Sequence, residues 1–287
     1  MIQTPVYPPF YRAITDLNRQ VVANPLRCEQ GRTTMDFADL DDKLSDPRTT
    51  LMILCSPHNP VGRVWTPDEL DQILGLCAKH QVTLVSDEIH FDLVRPAYHH
   101  FVAASRPLAN EVNVITLTAP SKSFNIAGLQ CANVVIADPS LRQRFEQVGS
   151  LDGSHGINAL GMIACELAYT RCVGWLDAFL KLIDQNHRDL VVFLEEHYPQ
   201  IKATPLEGTY LQWLDFNALG LSDDQLFTFL VQEVHLVMTP GIDFGLEGKG
   251  FMRMNLGCTP TVLREGLERL TKALDARFST TFINNGQ

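Results

Sequence analysis

Three short apolar runs, each stopping at a polar turn, constrain this chain more than any other feature. Leu51–Cys55 runs into Ser56-Pro-His-Asn-Pro-Val-Gly62, Val82–Ser86 into Asp87 and Glu88, and Asn113–Leu117 into Thr118-Ala-Pro-Ser-Lys-Ser-Phe-Asn125. Runs of this length, rich in β-branched residues and bounded by Pro, Gly, Asn or Asp, read as buried strands. A well-signalled helix separates the first two. Thr66 is its N-cap, Pro67 takes the first helical position and Glu69 completes a capping box. Leu70, Ile73, Leu74 and Cys77 then recur at helical spacing and mark its buried face. Such a helix carries the chain back, so that Thr83–Ser86 runs parallel to Leu51–Cys55. Asn59, Asp87 and Lys122 then lie just past the C-terminal ends of successive strands. That is the edge at which open α/β sheets bind ligands.

The residue types at that edge suit one kind of chemistry. A lysine in a small-residue turn can form a Schiff base with a carbonyl, and pyridoxal phosphate (PLP) is the cofactor that most often uses one. PLP also needs a carboxylate opposite its protonated ring nitrogen, a place Asp87 can fill. Taken singly, Lys122 reads as a solvated surface charge and Asp87 as a turn cap. In the order Asn-Pro-x-Gly, then Asp, then Ser-Lys, they meet the cofactor's needs together.

With these motifs the chain resembles the fold-type I PLP enzymes of the aminotransferase class I/II superfamily, and within it the MalY/PatB type of cystathionine β-lyase. The resemblance is carried by Thr4-Pro-Val-Tyr-Pro-Pro-Phe-Tyr11, Cys55–Trp65, Ser86-Asp-Glu-Ile-His90, Ala119–Ile126 and Gly250-Phe-Met-Arg-Met-Asn-Leu-Gly-Cys258, in that order. It implies a three-layer α/β large domain over residues 1–174 and a smaller C-terminal α+β domain, with its linking helix, over 175–287. It also implies roles. Lys122 binds the cofactor and acts as base, and Asp87 holds the ring nitrogen. Asn59 and His90 flank the phenolic oxygen, Tyr7 stacks on the ring, and Thr118 and Ser121 serve the phosphate. Arg253 binds the substrate carboxylate, for which a guanidinium fork is matched. Glu88 is given no role, and His58 reads as a loop residue.

Two departures concern the phosphate. Many relatives have Ser where this chain has Ala119, and Arg where it has Gln130. The phosphate site is therefore expected to be built differently, and the missing arginine suits the lyase group. Gly245-Leu-Glu-Gly-Lys-Gly250 could cradle a phosphate, but no helix start follows it, so it reads as a turn between strands. The resemblance further implies a segment preceding the Thr4 motif, which supplies part of the large domain and a tyrosine reaching the neighbouring subunit. Without it, cofactor binding, dimerisation and activity are expected to suffer.

The implied activity is β-cleavage of cystathionine or a related cysteine conjugate to a thiol, pyruvate and ammonia. An aminotransferase, and an inactive homologue acting as a binding protein, are the alternatives. The implied partner is a small amino-acid substrate, with homodimerisation if the fold is complete. The 287 residues, 45% of them apolar, suffice for two domains, and a net charge of −10 disfavours nucleic acid and anionic membranes as partners. No apolar stretch approaches the length needed to span a bilayer, Met1-Ile-Gln-Thr-Pro lacks a signal-peptide pattern, and the seven cysteines show no metal-type spacing. These features lead to the expectation of a cytoplasmic enzyme with no metal.

Beyond the lysine turn, a strand is expected at Val134–Ile136 and helices at Ser140–Val148, Ile157–Thr170 and Trp175–His197. There follow a strand Thr209–Asp215, a helix Asp223–Glu233 capped by Ser222, strands Leu236–Met238 and Phe251–Asn255, a last helix Thr261–Arg277, and a frayed tail Thr280–Gln287.

Overall fold

The computed structural model describes residues 1–29, 31–151, 156 and 158–282. In chain order its first part contains β1 (Ile2–Thr4), α1 (Pro9–Thr15), β2 (Ala23–Pro25), β3 (Arg27–Glu29), β4 (Arg32–Thr34), α2 (Phe37–Leu44), β5 (Leu51–Cys55), α3 (Pro67–His80), β6 (Thr83–Asp87), β7 (Val114–Thr118), α4 (Pro120–Ser123) and β8 (Asn133–Ile136). Then come α5 (Pro139–Leu151), α6 (Ala159–Arg171), α7 (Val173–His197), β9 (Lys202–Ala203), β10 (Leu211–Asp215), α8 (Asp223–Thr228), β11 (Thr239–Pro240), β12 (Phe251–Asn255) and α9 (Pro260–Phe282).

The larger sheet has the order β2-β1-β5-β6-β7-β8. The pairs from β2 to β7 are parallel, and β8 joins β7 antiparallel. The expected parallel pairing is found, with Leu51 opposite Thr83 and Cys55 opposite Asp87. The capping box on α3 is also as read from the sequence: Thr66 accepts from the Glu69 N–H at 3.2 Å, and the Glu69 carboxylate accepts from the Thr66 N–H at 2.8 Å. Leu70, Ile73, Leu74 and Cys77 are buried against Met52, Leu54 and Leu84 of the sheet. Each fully buried aliphatic side chain of this kind contributes about 2 kcal/mol relative to exposure. The helix ends at Gln81, whose left-handed backbone (φ 56°) turns the chain into β6.

The smaller sheet, β11-β12-β10-β9, is antiparallel. Its core is built from Leu214 and Met252 of the strands, Ile183, Leu190 and Leu194 of α7, and Leu270 and Leu274 of α9. Asn186 interrupts the apolar stripe of α7 because its amide donates to the carbonyls of Leu256 and Cys258 at 2.9 and 2.8 Å, fastening the helix to the end of β12. Trp213 and Phe244 project into the core of the larger sheet, so the two sheets share a boundary.

Several expectations change in detail. Leu236–Met238 is not a strand. His235 adopts a left-handed conformation (φ 55°) and the Leu236 N–H donates to the Leu230 carbonyl, so the chain is still leaving the preceding helix, and Val237 is 79% exposed. Pairing starts at Thr239, opposite Arg253. Thr209 likewise precedes its strand: with φ 68° it turns the chain, and its hydroxyl accepts the Leu211 N–H. The helix from Asp223 is α-helical to Thr228 and continues as a π-type turn, Phe229–Glu233. The last helix runs on to Phe282 rather than ending at Arg277. Ile157, the expected start of α6, and tail residues 283–287 lie outside the described residues. The glycine-rich segment lies between β11 and β12, as expected, and holds one short 3-10 turn, Leu246–Gly248.

A buried ion network fastens the loop after β5 to the approach to β10. Glu207 accepts from Arg63 Nε at 2.9 Å, from the Val64 N–H at 2.9 Å and from Arg32 Nε at 3.1 Å, while Arg63 also pairs with Glu69. Removing one partner of such a group strands a buried charge. Glu207→Ala is therefore expected to lower unfolding free energy by about 3 kcal/mol. Urea denaturation measures it, and a loss within the error of the wild type would contradict this account.

Candidate active site

The parallel register decides what reaches the C-terminal edge of the larger sheet. Asp87 is the last residue of β6 and Lys122 sits in the short helix after β7. Asn59 lies in the tight turn after β5, where the His58 N–H donates to the Arg63 carbonyl and the Gly62 N–H to the His58 carbonyl. Gly62 is required there: its φ is +76°, and a Cβ would stand 3.0 Å from a Leu206 methyl.

These residues open onto one cavity of about 540 Å³, lined by Tyr7, Asn59, Asp87, His90, Ser121, Lys122 and Arg253 among others. Seven of the eight residues singled out in the sequence thus meet. The eighth, Thr118, does not line it, and its hydroxyl instead accepts from Asn133 Nδ2 at 3.4 Å. It is the last residue of β7 and pairs with Asn133 of β8, which is why it turns away. A second cavity, of about 470 Å³, lies at the opposite strand ends beside Gln81, Val82 and Asn113, and no cation lines it. The chemistry therefore sits in the first.

Burial tunes the groups in the cavity. It raises the Asp87 carboxyl to about 6; the Ile89 N–H, which donates to Asp87 Oδ1 at 3.2 Å, and the charge of Lys122 oppose that rise, while Glu88 adds to it. Burial lowers the His90 imidazole to about 3, helped by the charges of Lys122 and Arg253, so His90 is neutral. Its Nδ1 is buried without a hydrogen-bond partner, and its ring meets Tyr210 edge to face. His58 is in a loop but fully buried. Its Nε2 lies 2.9 Å from the Pro5 carbonyl oxygen and its ring packs on Trp65, so its place is under the turn rather than in solvent.

Arg253 stands on β12 of the smaller sheet and reaches across to the larger. It donates through Nη1 to Asn59 Oδ1 at 3.0 Å and through Nη2 to Thr239 Oγ1 at 3.2 Å, over the face of Phe244. Among the described residues no carboxylate pairs with it. Tyr7, 37% exposed, lines the cavity and meets Phe10 in a T-shaped contact, with ring centroids 6.0 Å apart. Tyr210 and Asn255 also line the cavity and were not singled out in the sequence. Tyr210 sits directly before an apolar strand, where an aromatic residue carries no signal of its own.

The donor set fits PLP. A lysine amine and a partly protonated buried carboxylate share one cavity with a neutral histidine bearing an unsatisfied ring nitrogen, and an aromatic face borders them. The volume lies within the usual range for small-ligand sites. The phosphate end is sparsely furnished: of the two expected hydroxyls only Ser121 lines the cavity, next to the departures Ala119 and Gln130.

Comparison with known proteins agrees with this reading. The family model "Aminotransferase class I and II" matches residues 1–270. Cystathionine beta-lyase PatB of Bacillus subtilis is 41% identical over 276 residues, covering 96% of this chain and 71% of that protein. Protein MalY of Escherichia coli is 34% identical, covering 96% and 70%. Among solved structures, cystalysin from Treponema denticola, which contains a pyridoxal 5'-phosphate cofactor, superposes with a TM-score of 0.91 at 43% identity, covering 96% of this chain and 70% of that one. A PLP-bound C-S lyase from Staphylococcus hominis gives 0.87 at 31% identity, covering 95% and 67%. The fold is the fold-type I transferase fold, the cofactor is PLP, and the chain belongs to the aminotransferase class I and II family.

Proposed function

We propose that this chain cleaves the Cβ–S bond of cystathionine or a related cysteine S-conjugate, taking up water and releasing a thiol, pyruvate and ammonia. The observation that carries this reading is one cavity holding Lys122, Asp87 and an Arg253 fork with no carboxylate of its own. The names of the relatives, two of them a cystathionine beta-lyase and a C-S lyase, point the same way.

When bound, PLP would supply an aldehyde that reacts with the substrate amine and a ring able to take up the electron pair left at Cα. The chain's own residues do the rest. Arg253 holds the substrate carboxylate in its fork, with Asn59 and Thr239 fixing the guanidinium plane. The Lys122 amine takes the proton from Cα. Asp87 would keep the ring nitrogen protonated by offering it a carboxylate, whose ionised form the charge of Lys122 favours. Neutral His90 and the Asn59 amide would serve the phenolic oxygen, Tyr7 would stack on the ring, and Ser121 is the hydroxyl retained for the phosphate. Thr118 is not retained.

Three further proposals accompany this one. The chain works as two domains that divide at residues 174 and 175, next to the start of α7 at Val173. It forms a homodimer, for which exposed Val135, Val148, Leu160, Met162 and Ile163 on β8, α5 and α6 offer apolar surface. It resides in the cytoplasm, which suits seven free cysteines. No described helix is long and apolar enough to cross a membrane.

With PLP added, the wild type is expected to show a visible absorption band that borohydride abolishes, and Lys122→Ala is expected to lack it. Given cystathionine, it should form pyruvate without any keto-acid acceptor. Amino transfer that outpaces pyruvate formation would instead make it an aminotransferase. Arg253→Lys should raise KM for cystathionine about tenfold or more, because an ammonium cannot reproduce the two-pronged contact; an unchanged KM would remove Arg253 from the carboxylate.

The raised Asp87 carboxyl also affects stability. It titrates near 6 when folded and near 3.9 when unfolded. Between those values the folded chain holds more protons than the unfolded, so stability falls as pH rises through that window and stays lower above it. Cofactor-free Asp87→Asn should therefore be more stable than the wild type by on the order of 1 kcal/mol at pH values of about 7 and above, and lose that advantage near pH of about 4. Thermal melts at both ends test this, and an advantage equal at both would count against it.

A further inference from the structure

Glu88 follows Asp87 directly, is 1% exposed, and does not line the cavity. Strand alternation turns it to the face opposite Asp87, the same face as Ser86. There it is fully engaged. Ser86 Oγ donates to Glu88 Oε1 at 2.8 Å, and the Ala103 N–H donates to the same oxygen at 3.1 Å. His100 Nε2 lies 2.9 Å from Oε2, and since a carboxylate only accepts, the imidazole is the donor. The other ring nitrogen of His100 is buried without a partner. No lysine or arginine pairs with Glu88 among the described residues. A buried anion held by neutral donors and one imidazole is costly to keep, and an apolar side chain would fill the same space more cheaply.

We propose that Glu88 is a positioning residue for Asp87: a fixed buried anion, clamped by Ser86, His100 and the Ala103 backbone, that holds the neighbouring carboxylate toward the cavity and strengthens its grip on a cationic ring nitrogen. This rests on the reading of Asp87 as the partner of that nitrogen. The groups facing Asp87 are few. Lys122, from the turn after β7, opposes Glu88 in sign. Cys55, from β5, is a neutral thiol raised by burial and by Asp87. His90 is neutral. Among the described residues Glu88 is therefore the one like charge acting on Asp87, and it counteracts Lys122. His100 meets Glu88 from the segment joining β6 to β7, so the same contacts pin that segment behind the site.

The test is Glu88→Gln in the full chain. Glutamine keeps an acceptor for Ser86 and Ala103, and its amide can donate to His100 once the ring proton moves to Nδ1. With aspartate carboxyls labelled with carbon-13 and Asp87 assigned through Asp87→Asn, NMR titration of the cofactor-free protein follows Asp87 itself. The wild-type midpoint is expected at about 6, and the Glu88→Gln midpoint at lower pH. In the loaded enzyme kcat should fall roughly tenfold with little change in KM. His100→Gln, which leaves the charge on Glu88, should leave the Asp87 midpoint in place. If Glu88→Gln does not fold, Glu88→Met, neutral and of similar volume, is read in the same way. An Asp87 midpoint unmoved by loss of the Glu88 charge overturns the proposal and leaves Glu88 a packing residue. Full lyase activity in Asp87→Asn would instead sink the ring-nitrogen reading without altering the titration.

Discussion

The site depends on the parallel, in-register pairing of β5, β6 and β7. Leu51 stands opposite Thr83, and Leu84 opposite Val114, so the three strands end together and their following residues converge. Side chains alternate faces along a strand, and a slip of one residue would exchange every face. In β6 that slip would put Glu88 at the cavity and Asp87 behind the sheet. The register is held by burial on the helix side, where Met52, Leu54 and Leu84 meet α3. Packing of plain aliphatic residues thus decides which of two adjacent carboxylates faces the cavity.

Charge in the cavity is unbalanced in a way that selects its contents. Lys122 and Arg253 line it with one carboxylate, Asp87, whose acidity burial weakens. Burial also works against the Arg253 cation. Two cations facing one carboxylate leave the cavity with a surplus of positive charge, which acts more strongly in a partly buried site than in bulk water. A ligand that brings a phosphate and a carboxylate restores the balance. Burial, helped by that surplus, keeps His90 neutral, so it is free to hydrogen-bond an oxygen without adding to the charge.

Much of this was legible in the sequence because it is local. Capping chemistry located α3 and its buried face, and polar turns after apolar runs located Asn59, Asp87 and Lys122. What escaped is non-local or depends on the backbone. Thr118 looked like a phosphate donor from its place in the lysine turn, but β8 returns antiparallel and claims its hydroxyl through Asn133. Leu236–Met238 has a strand's composition, yet left-handed His235 keeps the chain in a loop. Glu88 and His58 were passed over because nothing in a sequence tells a solvated polar residue from one with buried partners 12 or more positions away.

Arg253 joins the two halves of the structure more directly than any element boundary does. Its backbone belongs to the smaller sheet, paired with Trp213 and Thr239, while its guanidinium is hydrogen-bonded to Asn59 of the larger. Trp213, directly opposite Arg253 in the ladder, sends its side chain into the core of the larger sheet. The side chain that would meet a substrate carboxylate is thus fixed by contacts to both sheets. A shift of one sheet against the other would pull the Arg253 fork off Asn59 and away from Lys122, which stands on the larger sheet's edge. In the proposed function, recognition of the carboxylate and placement of the base are consequently one geometric condition, set at the seam where the two cores meet.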